Sequence, residues 1–229
     1  HPVTTSRPSP MRFLQAYHWA IDGGAEEIVV ATLSAAMSAT FESAVMAAKE
    51  CDTPVRVVDS GTIAMGLGFA VISGAEAADR GADADAVARV IEDRARASSV
   101  FFYVDTLEYL RRGGRISTAR AAVGQALKVK PLMQVVDGHV SPLEQVRTAG
   151  RALGRLEELA VAAAGSDEVD IAVQHLASPD RASALAARLR DRLPRAQVVE
   201  CPVGGVVGAH VGPGMVAVVV APRAGGAGP

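Results

Sequence analysis

Two short apolar segments on either side of a helix-length segment constrain the fold of this chain more than any other feature. The segment 27–33 (EIVVATL) predicts a buried strand, which leads through a small-residue loop into a helix ending near Glu50. The next predicted strand is 55–58 (VRVV), and helices over about 64–80 and 83–97 follow it. Strands and helices that alternate at this spacing are typical of βαβ units, so we predict a parallel sheet covered by helices.

A different pattern begins after about Ser98. Strands are predicted over 132–136 and 139–144, and the Asp137-Gly138 pair between them is typical of a two-residue hairpin turn. A hairpin joins antiparallel strands, whereas the other strands of this part alternate with helices. The second part of the chain is therefore expected to contain a mixed or antiparallel sheet.

These patterns together predict an α/β fold with two domains. Residues 1–98 are expected to form a three-layer α/β domain with a mainly parallel sheet, and residues 99–223 an α/β domain with a mixed sheet. A helix is expected from Ser117 to about Ala126, and a glycine-rich loop over 204–214 before the last strand. The small residues 224–229 are expected to form a loose tail.

Composition and charge exclude several classes of protein. The formal net charge is −2, so the basic surface that nucleic-acid binding requires is not expected. The apolar runs are strand-length, well short of the roughly 20 residues of a membrane-spanning helix, so no stable membrane insertion is expected. Cys51 and Cys201 do not form a CxxC pair, and the histidines are not at metal-ligand spacings. We expect a reduced, cytoplasmic protein without metal or other cofactor.

Two hydroxyl-rich segments precede or open predicted helices. The first is 4–10 (TTSRPSP), and the second is 34–40 (SAAMSAT), which follows a strand directly. Ser38 is expected to cap the helix, leaving the N–H groups of Ala39 and Thr40 free to bind a carboxylate or phosphate. Ordinary helix capping explains the same residues without a ligand, and the local sequence leaves both readings open.

Two further segments combine glycine with basic residues. Arg111, Arg112 and Arg115 surround Gly113-Gly114, which suits binding of a phosphate, an acidic partner, or simply a basic helix C-terminus stopped by glycine. His210 lies among the glycines of 204–214, where a ligand contact is more frequent than for an average histidine. The phosphate-binding, nucleophile-elbow and zinc-protease motifs are missing from the sequence.

Taken in order, these segments resemble the DegV family of bacterial fatty-acid-binding proteins. The resemblance spans nearly the whole chain, and the GGRIS and GAHVGPG segments are its most specific parts. The residues that carry it are 5–10 (TSRPSP), 34–44 (SAAMSATFESA), 58–60 (VDS), 105–117 (DTLEYLRRGGRIS), 130–132 (KPL), 137–138 (DG), 146–147 (VR) and 208–214 (GAHVGPG).

The resemblance implies a carrier with the family's two-domain fold, which holds a long-chain fatty acid such as palmitate or oleate in an apolar tunnel. Such a carrier is not itself an enzyme; it presents the carboxylate to a separate fatty acid kinase. The family begins with a further strand and loop, and that region is expected to be absent here. By resemblance, the carboxylate-binding residues are Thr5, Ser6, Ser38, Ala39, His210 and Arg147.

Two other functions remain open from the residues. A phosphotransferase or hydrolase acting on a small molecule could use the same loops, with His210 or Asp59 as the base. An interaction protein could bind an acidic partner through Arg111, Arg112 and Arg115, and this role is compatible with a carrier that docks its kinase.

Overall fold

The computed structural model describes residues 3–116 and 129–223. The helix predicted over 117–126 and the tail 224–229 lie outside the described residues. Proximity of Cα atoms groups Ser6–Arg96 into one compact unit and the described residues before and after it into another. That 1–98 and 99–223 are separate domains stays a prediction, and each unit is described by itself.

The Ser6–Arg96 unit contains two strands and four helices. Its strands are parallel, in a register that pairs Ile28 with Val55 and Thr32 with Asp59. The elements, in chain order, are α1 (Pro10–Asp22), β1 (Ile28–Thr32), α2 (Thr40–Lys49), β2 (Val55–Asp59), α3 (Met65–Asp79) and α4 (Ala84–Ala97).

Small side chains allow the helices of this unit to pack closely. Ala70 and Ala77 of α3 join Val87 and Ile91 of α4 in one buried cluster with Val58 of β2. A methyl group at position 74 of α3 would lie 2.5 Å from Ile91 Cγ1, so glycine lets the two helices approach. The core of this unit therefore depends on alanine and glycine as much as on large apolar residues.

The other unit contains a six-stranded mixed sheet with the order β5-β4-β3-β8-β6-β7. Strand β6 is parallel to β7 and antiparallel to β8, while β3 is antiparallel to both of its neighbours. The elements are β3 (Ser99–Tyr103), α5 (Glu108–Arg112), β4 (Lys130–Val136), β5 (His139–Val146), α6 (Ala149–Ala164), β6 (Val169–His175), α7 (Pro179–Arg192), β7 (Gln197–Pro202), α8 (Gly205–Val211) and β8 (Val216–Pro222).

Helices α6 and α7 cover the centre of this sheet. Leu156, Leu185 and Leu189 are fully buried with the apolar residues of β6 and β8 in one cluster. Burial of each such side chain contributes about 1.5–3 kcal/mol. Thr148 accepts a hydrogen bond from the Arg151 N–H and so caps α6, which stabilises the helix that completes the core.

The predicted α/β class is confirmed, and so is the hairpin. Asp137 and Gly138 have φ values of 50° and 75°, as a two-residue turn with the twist of the strands requires.

Two local predictions are wrong. The glycine-rich segment 204–214 contains the helix α8, in which the Gly208 N–H donates to the Gly204 carbonyl and the Gly212 N–H to the Gly208 carbonyl. Strand β1 is partly exposed along most of its length rather than buried. Among the described residues it has a neighbouring strand, β2, on one side only.

Candidate functional site

In the Ser6–Arg96 unit, Asp59 ties together the loops that follow the two parallel strands. Its Oδ1 atom accepts hydrogen bonds from the N–H groups of Ala35 and Gly61, each at 3.0 Å. The Ser34 N–H donates to the Thr62 carbonyl at 2.8 Å and adds a second connection. Parallel strands end at the same sheet edge, where α/β folds bind ligands, so these bonds hold a candidate binding loop in place.

Ser38 does not cap α2 as the sequence predicts. The capping position is occupied by Ala39, with φ −70° and ψ 24°, and no side chain accepts a capping hydrogen bond there. The Ser38 hydroxyl instead lies 2.8 Å from the Thr40 hydroxyl, and the Ser38 N–H donates to the Ser34 carbonyl. Two adjacent hydroxyls therefore stand at the start of the helix, available to an oxygen-rich ligand.

The Ala39 carbonyl connects this loop to the segment around Ser6. Arg7 Nη1 lies 3.5 Å from the Ala39 oxygen, and the Ser43 hydroxyl donates to the same oxygen at 3.3 Å. Ser6 itself is exposed. The structure thus places Ser6, Ser38 and Ala39 in the Ser6–Arg96 unit, while Thr5, His210 and Arg147 belong to the other unit.

Thr5 and His210 form a hydrogen-bonded pair in that other unit, with 2.8 Å between Oγ1 and Nε2. The second ring nitrogen of His210, Nδ1, is buried without a hydrogen-bond partner among the described residues. Nδ1 is unsatisfied in either tautomer, but a buried N–H without an acceptor is rarer in folded proteins than an acceptor without a donor. We therefore assign the proton to Nε2, which donates to Thr5. The Thr5 O–H is then free to donate to another acceptor.

The surroundings of His210 keep its ring neutral. Burial, with the positive charge of Arg115 as a second cause, lowers the pKa of His210 below its ordinary value of 6.5. Nδ1 faces Gly113 so closely that a Cβ atom on this residue would lie 2.1 Å from it. A neutral imidazole pressed against a glycine is suited to holding a hydroxyl in one orientation.

The basic segment lies at the end of α5. Arg112 stacks over the Tyr109 ring at 5.1 Å, and Arg115 Nη1 donates to the Gly113 carbonyl at 2.5 Å. Arg111 and Arg112 are exposed, as an interaction surface requires. Arg147 is also exposed and follows β5 directly.

One cluster of charged residues received no role from sequence reasoning. The Asp105 carboxylate accepts hydrogen bonds from Tyr103 and from Lys130, the latter at 2.6 Å, and Arg181 lies 3.9 Å away. Burial alone would raise the pKa of the Asp105 carboxyl, but these hydrogen bonds and charges outweigh it and hold the pKa below its usual range. Burial, followed by the bond to Asp105, raises the pKa of Tyr103 to about 12.

The segments 105–113 and 210–214, which contact each other at glycines, each have a regular spacing in the sequence. Asp105, Tyr109 and Gly113 recur every four residues, and His210, Gly212 and Gly214 every two. Each of these glycines is a close-contact position for a side chain of the other segment. Regular spacings of this kind are compatible with close packing, but the sequence does not show which segment packs against which.

Both residues considered as catalytic bases take part in hydrogen bonds. Asp59 Oδ1 accepts two backbone N–H groups, and His210 Nε2 is bonded to Thr5. Within residues 3–116 and 129–223, no group of three or more His, Cys, Asp or Glu side chains is placed to hold a metal ion. The arrangement offers hydroxyl and N–H donors, which suit recognition of an anionic oxygen.

The family model described as "Uncharacterised protein, DegV family" matches residues 1–223. The chain belongs to the DegV family. A DegV domain-containing protein of Streptomyces coelicolor is 55% identical over 223 residues, covering 97% of this chain and 79% of the relative. The resemblance first noted in the hydroxyl-rich and glycine-rich segments is thereby confirmed over nearly the full chain.

Solved DegV structures share the fold. A DegV family protein from Corynebacterium glutamicum superposes with a TM-score of 0.91 at 29% identity, over 98% of this chain and 86% of that one. A DegV family protein from Thermus thermophilus, described as binding fatty acids, gives a TM-score of 0.90 at 29% identity, over 96% and 79%. DegV from Bacillus subtilis, described as a fatty acid binding protein, gives 0.87 at 28% identity, over 96% and 79%.

Among the described residues of this DegV protein, none of the helices is both long enough and apolar enough to span a bilayer.

Proposed function

We propose that this chain binds a long-chain fatty acid such as palmitate or oleate. The structures from Thermus thermophilus and Bacillus subtilis, both described as fatty-acid-binding proteins, support the ligand class. The observation that carries the proposal in this chain is the Thr5–His210 pair. Its assigned tautomer leaves one hydroxyl proton to donate to a carboxylate oxygen.

Thr5 is proposed as the main carboxylate ligand, with His210 orienting its hydroxyl. The resemblance extends the assignment to Ser6, to the Ser38 hydroxyl with the Ala39 N–H, and to Arg147. The geometry around Ser38 supports its part of the assignment, because its hydroxyl and that of Thr40 form a pair that can donate outward. Hydrogen bonds to a charged group contribute about 1.5–3 kcal/mol each.

The acyl chain is expected to set the affinity. Burial of a 16-carbon chain at about 0.8 kcal/mol per methylene gives roughly 12 kcal/mol of gross transfer free energy. This exceeds the contribution of any single head-group hydrogen bond. Thr5 and Ser38 therefore select for a free acid over an ester, while the apolar surface holds the ligand.

We further propose that the protein acts in the cytoplasm as a carrier without catalytic activity of its own, which presents the carboxylate to a separate fatty acid kinase. Arg111 and Arg112 support a docking role, since they are exposed and basic next to the Gly113-Gly114 turn. The phosphotransferase or hydrolase alternative finds less support. It needs a base that takes up a proton, whereas the assigned tautomer of His210 directs an N–H rather than a lone pair at Thr5, and Asp59 Oδ1 already accepts two backbone N–H groups.

Native mass spectrometry of the purified protein tests the proposal. We expect a co-purifying mass equal to that of a long-chain fatty acid, which solvent extraction and gas chromatography identify. Delipidated protein is then expected to bind oleate with higher affinity than oleyl alcohol. Protein that carries no lipid and fails to bind added oleate would refute the proposal.

A further inference from the structure

The segment 105–113 and the segment 210–214 contact each other at glycines along their length. A Cβ atom on Gly212 would lie 2.3 Å from the Tyr109 ring, and one on Gly214 would lie 2.0 Å from Asp105 Oδ2. In the third contact the roles of the segments are exchanged: a Cβ atom on Gly113 would lie 2.1 Å from His210 Nδ1. At each contact, a side chain of one segment packs against a glycine of the other, where a Cβ atom would not fit.

The order of these contacts shows that the two segments run in opposite directions. Successive positions of the first segment contact earlier and earlier positions of the second. The contacts are Asp105 with Gly214, Tyr109 with Gly212, and Gly113 with His210. Gly212 and Gly214 have φ values of 75° and 90°, which side-chain-bearing residues rarely adopt. The turn after α8 is therefore built to bring its backbone against Tyr109 and Asp105.

Both side chains that press on this turn are themselves held. Asp105 is fixed by the hydrogen bonds from Tyr103 and Lys130 at the ends of two neighbouring strands. Tyr109 packs beneath the guanidinium group of Arg112. Rigid strands on one side and a stacked ring on the other thus determine where the turn, and with it His210, can lie.

We infer that Asp105 and Tyr109 are positioning residues for His210: they fix the 210–214 backbone and thereby hold the His210 ring at hydrogen-bonding distance from Thr5. A displacement of about 1 Å lengthens the 2.8 Å contact beyond the range of a hydrogen bond. The His210 ring would then lose the partner that selects its tautomer, and Thr5 would lose its orientation. The consequence for the ligand rests on the proposed function, whereas the effect on His210 does not.

The test measures His210 directly in the ligand-free, full chain. A long-range ¹H–¹⁵N correlation spectrum of the histidine rings reports the tautomer, and a pH titration reports the pKa of His210. In the unchanged protein we expect one tautomer, protonated at Nε2, and a titration midpoint below 6.5. Tyr109→Ala is expected to give mixed tautomers and a midpoint shifted up towards 6.5, because the turn loses its support and the ring becomes solvated.

Matched variants separate positioning from general destabilisation. Tyr109→Phe keeps the ring and is expected to leave the His210 signals unchanged, as is Gly150→Ala, where a Cβ atom meets nothing within 4 Å. Gly212→Ala is expected to behave like Tyr109→Ala, and if it fails to fold, Tyr109→Ala alone decides. Folded Tyr109→Ala protein with unchanged tautomer and midpoint would overturn the inference.

A second readout links the positioning to ligand choice. Tyr109→Ala is expected to reduce the preference for oleate over methyl oleate by about tenfold, the effect of one hydrogen bond to a charged group. An unchanged preference, in a variant whose His210 signals have moved, would contradict the link to Thr5. If the unchanged protein does not bind oleate, the proposed function fails, but the His210 spectra still test the positioning.

Discussion

His210 Nε2 lies 2.8 Å from Thr5 Oγ1, across 205 positions of sequence. The pair joins a residue near the start of the described chain to one in the last turn of α8. Because Nδ1 of the same ring is buried without a hydrogen-bond partner among the described residues, we assign the Thr5 contact to an N–H donated by the ring. A hydroxyl whose own proton is left free is a suitable donor to a carboxylate.

The stability of the protein is expected to fall below pH 6.5 in a way that depends on His210. Its pKa is lowered in the folded state, so below the ordinary value of 6.5 the unfolded chain takes up a proton that the folded chain resists. The free energy of unfolding therefore decreases as the pH falls through this range and levels off below the folded pKa. Thermal melts between pH 8 and pH 5 measure the effect.

His210→Gln is the control for this pH dependence. It retains a hydrogen-bonding side chain but does not titrate, so the melting temperature of the variant is expected to vary less with pH over the same range. The other histidines contribute equally to both proteins and cancel in the comparison. Identical pH profiles for the two proteins would show that His210 is not the group responsible.

Replacement of Asp59 is expected to loosen the loop that carries Ser38. Asp59→Ala removes the acceptor of two backbone N–H groups and should lower the free energy of unfolding by about 1–2 kcal/mol. Asp59→Asn keeps an oxygen acceptor and should lower it less. Urea denaturation checks both variants, with Asp52→Ala, an exposed aspartate seven positions earlier, as the matched control. A loss in Asp52→Ala equal to that in Asp59→Ala would contradict the assigned role.

If the proposed kinase partner docks on the basic segment, charge reversal at Arg111 is expected to weaken that docking without changing lipid binding. Arg111→Glu places a negative charge on the exposed basic segment while leaving the Arg112 and Arg115 contacts intact. Arg151→Glu, on the exposed face of α6, is the control for a change in net charge. Acyl phosphate formation by the kinase and oleate affinity are measured in parallel. Loss of oleate affinity in Arg111→Glu would assign the arginine to the ligand rather than to the partner.

Ser38→Ala is expected to reduce affinity for oleate more than for methyl oleate. Loss of one hydrogen bond to a charged group corresponds to roughly a tenfold weakening. Ser9→Ala is the matched control, because Ser9 precedes α1 and its side chain makes no capping hydrogen bond. Equal weakening of acid and ester by Ser38→Ala would remove Ser38 from the proposed carboxylate ligands.

Local patterns predicted much of the fold because their causes are local. Alternating strands and helices and the Asp137-Gly138 turn depend on neighbouring residues, and the structure contains them. The helix α8 was missed because glycine has a low helix propensity. The cap predicted at Ser38 was wrong because its hydroxyl is paired with another hydroxyl.

The candidate site was only partly predictable for a different reason. Thr5 and His210 stood out by residue type, but their contact joins distant parts of the chain. Asp105 and Tyr109 contact glycines of a remote segment. A glycine in the sequence does not indicate which side chain will pack against it. Only the folded backbone brings these residues into register.

Calorimetric titration of delipidated protein with oleate and with methyl oleate tests the central claim most directly. Thr5→Val removes the hydroxyl at nearly constant volume, and Thr4→Val makes the same change at the exposed neighbouring position. We predict that Thr5→Val weakens oleate binding about tenfold or more while leaving methyl oleate nearly unaffected, and that Thr4→Val changes neither. Equal affinities of Thr5→Val and the unchanged protein for oleate would contradict the assignment of Thr5 to the carboxylate.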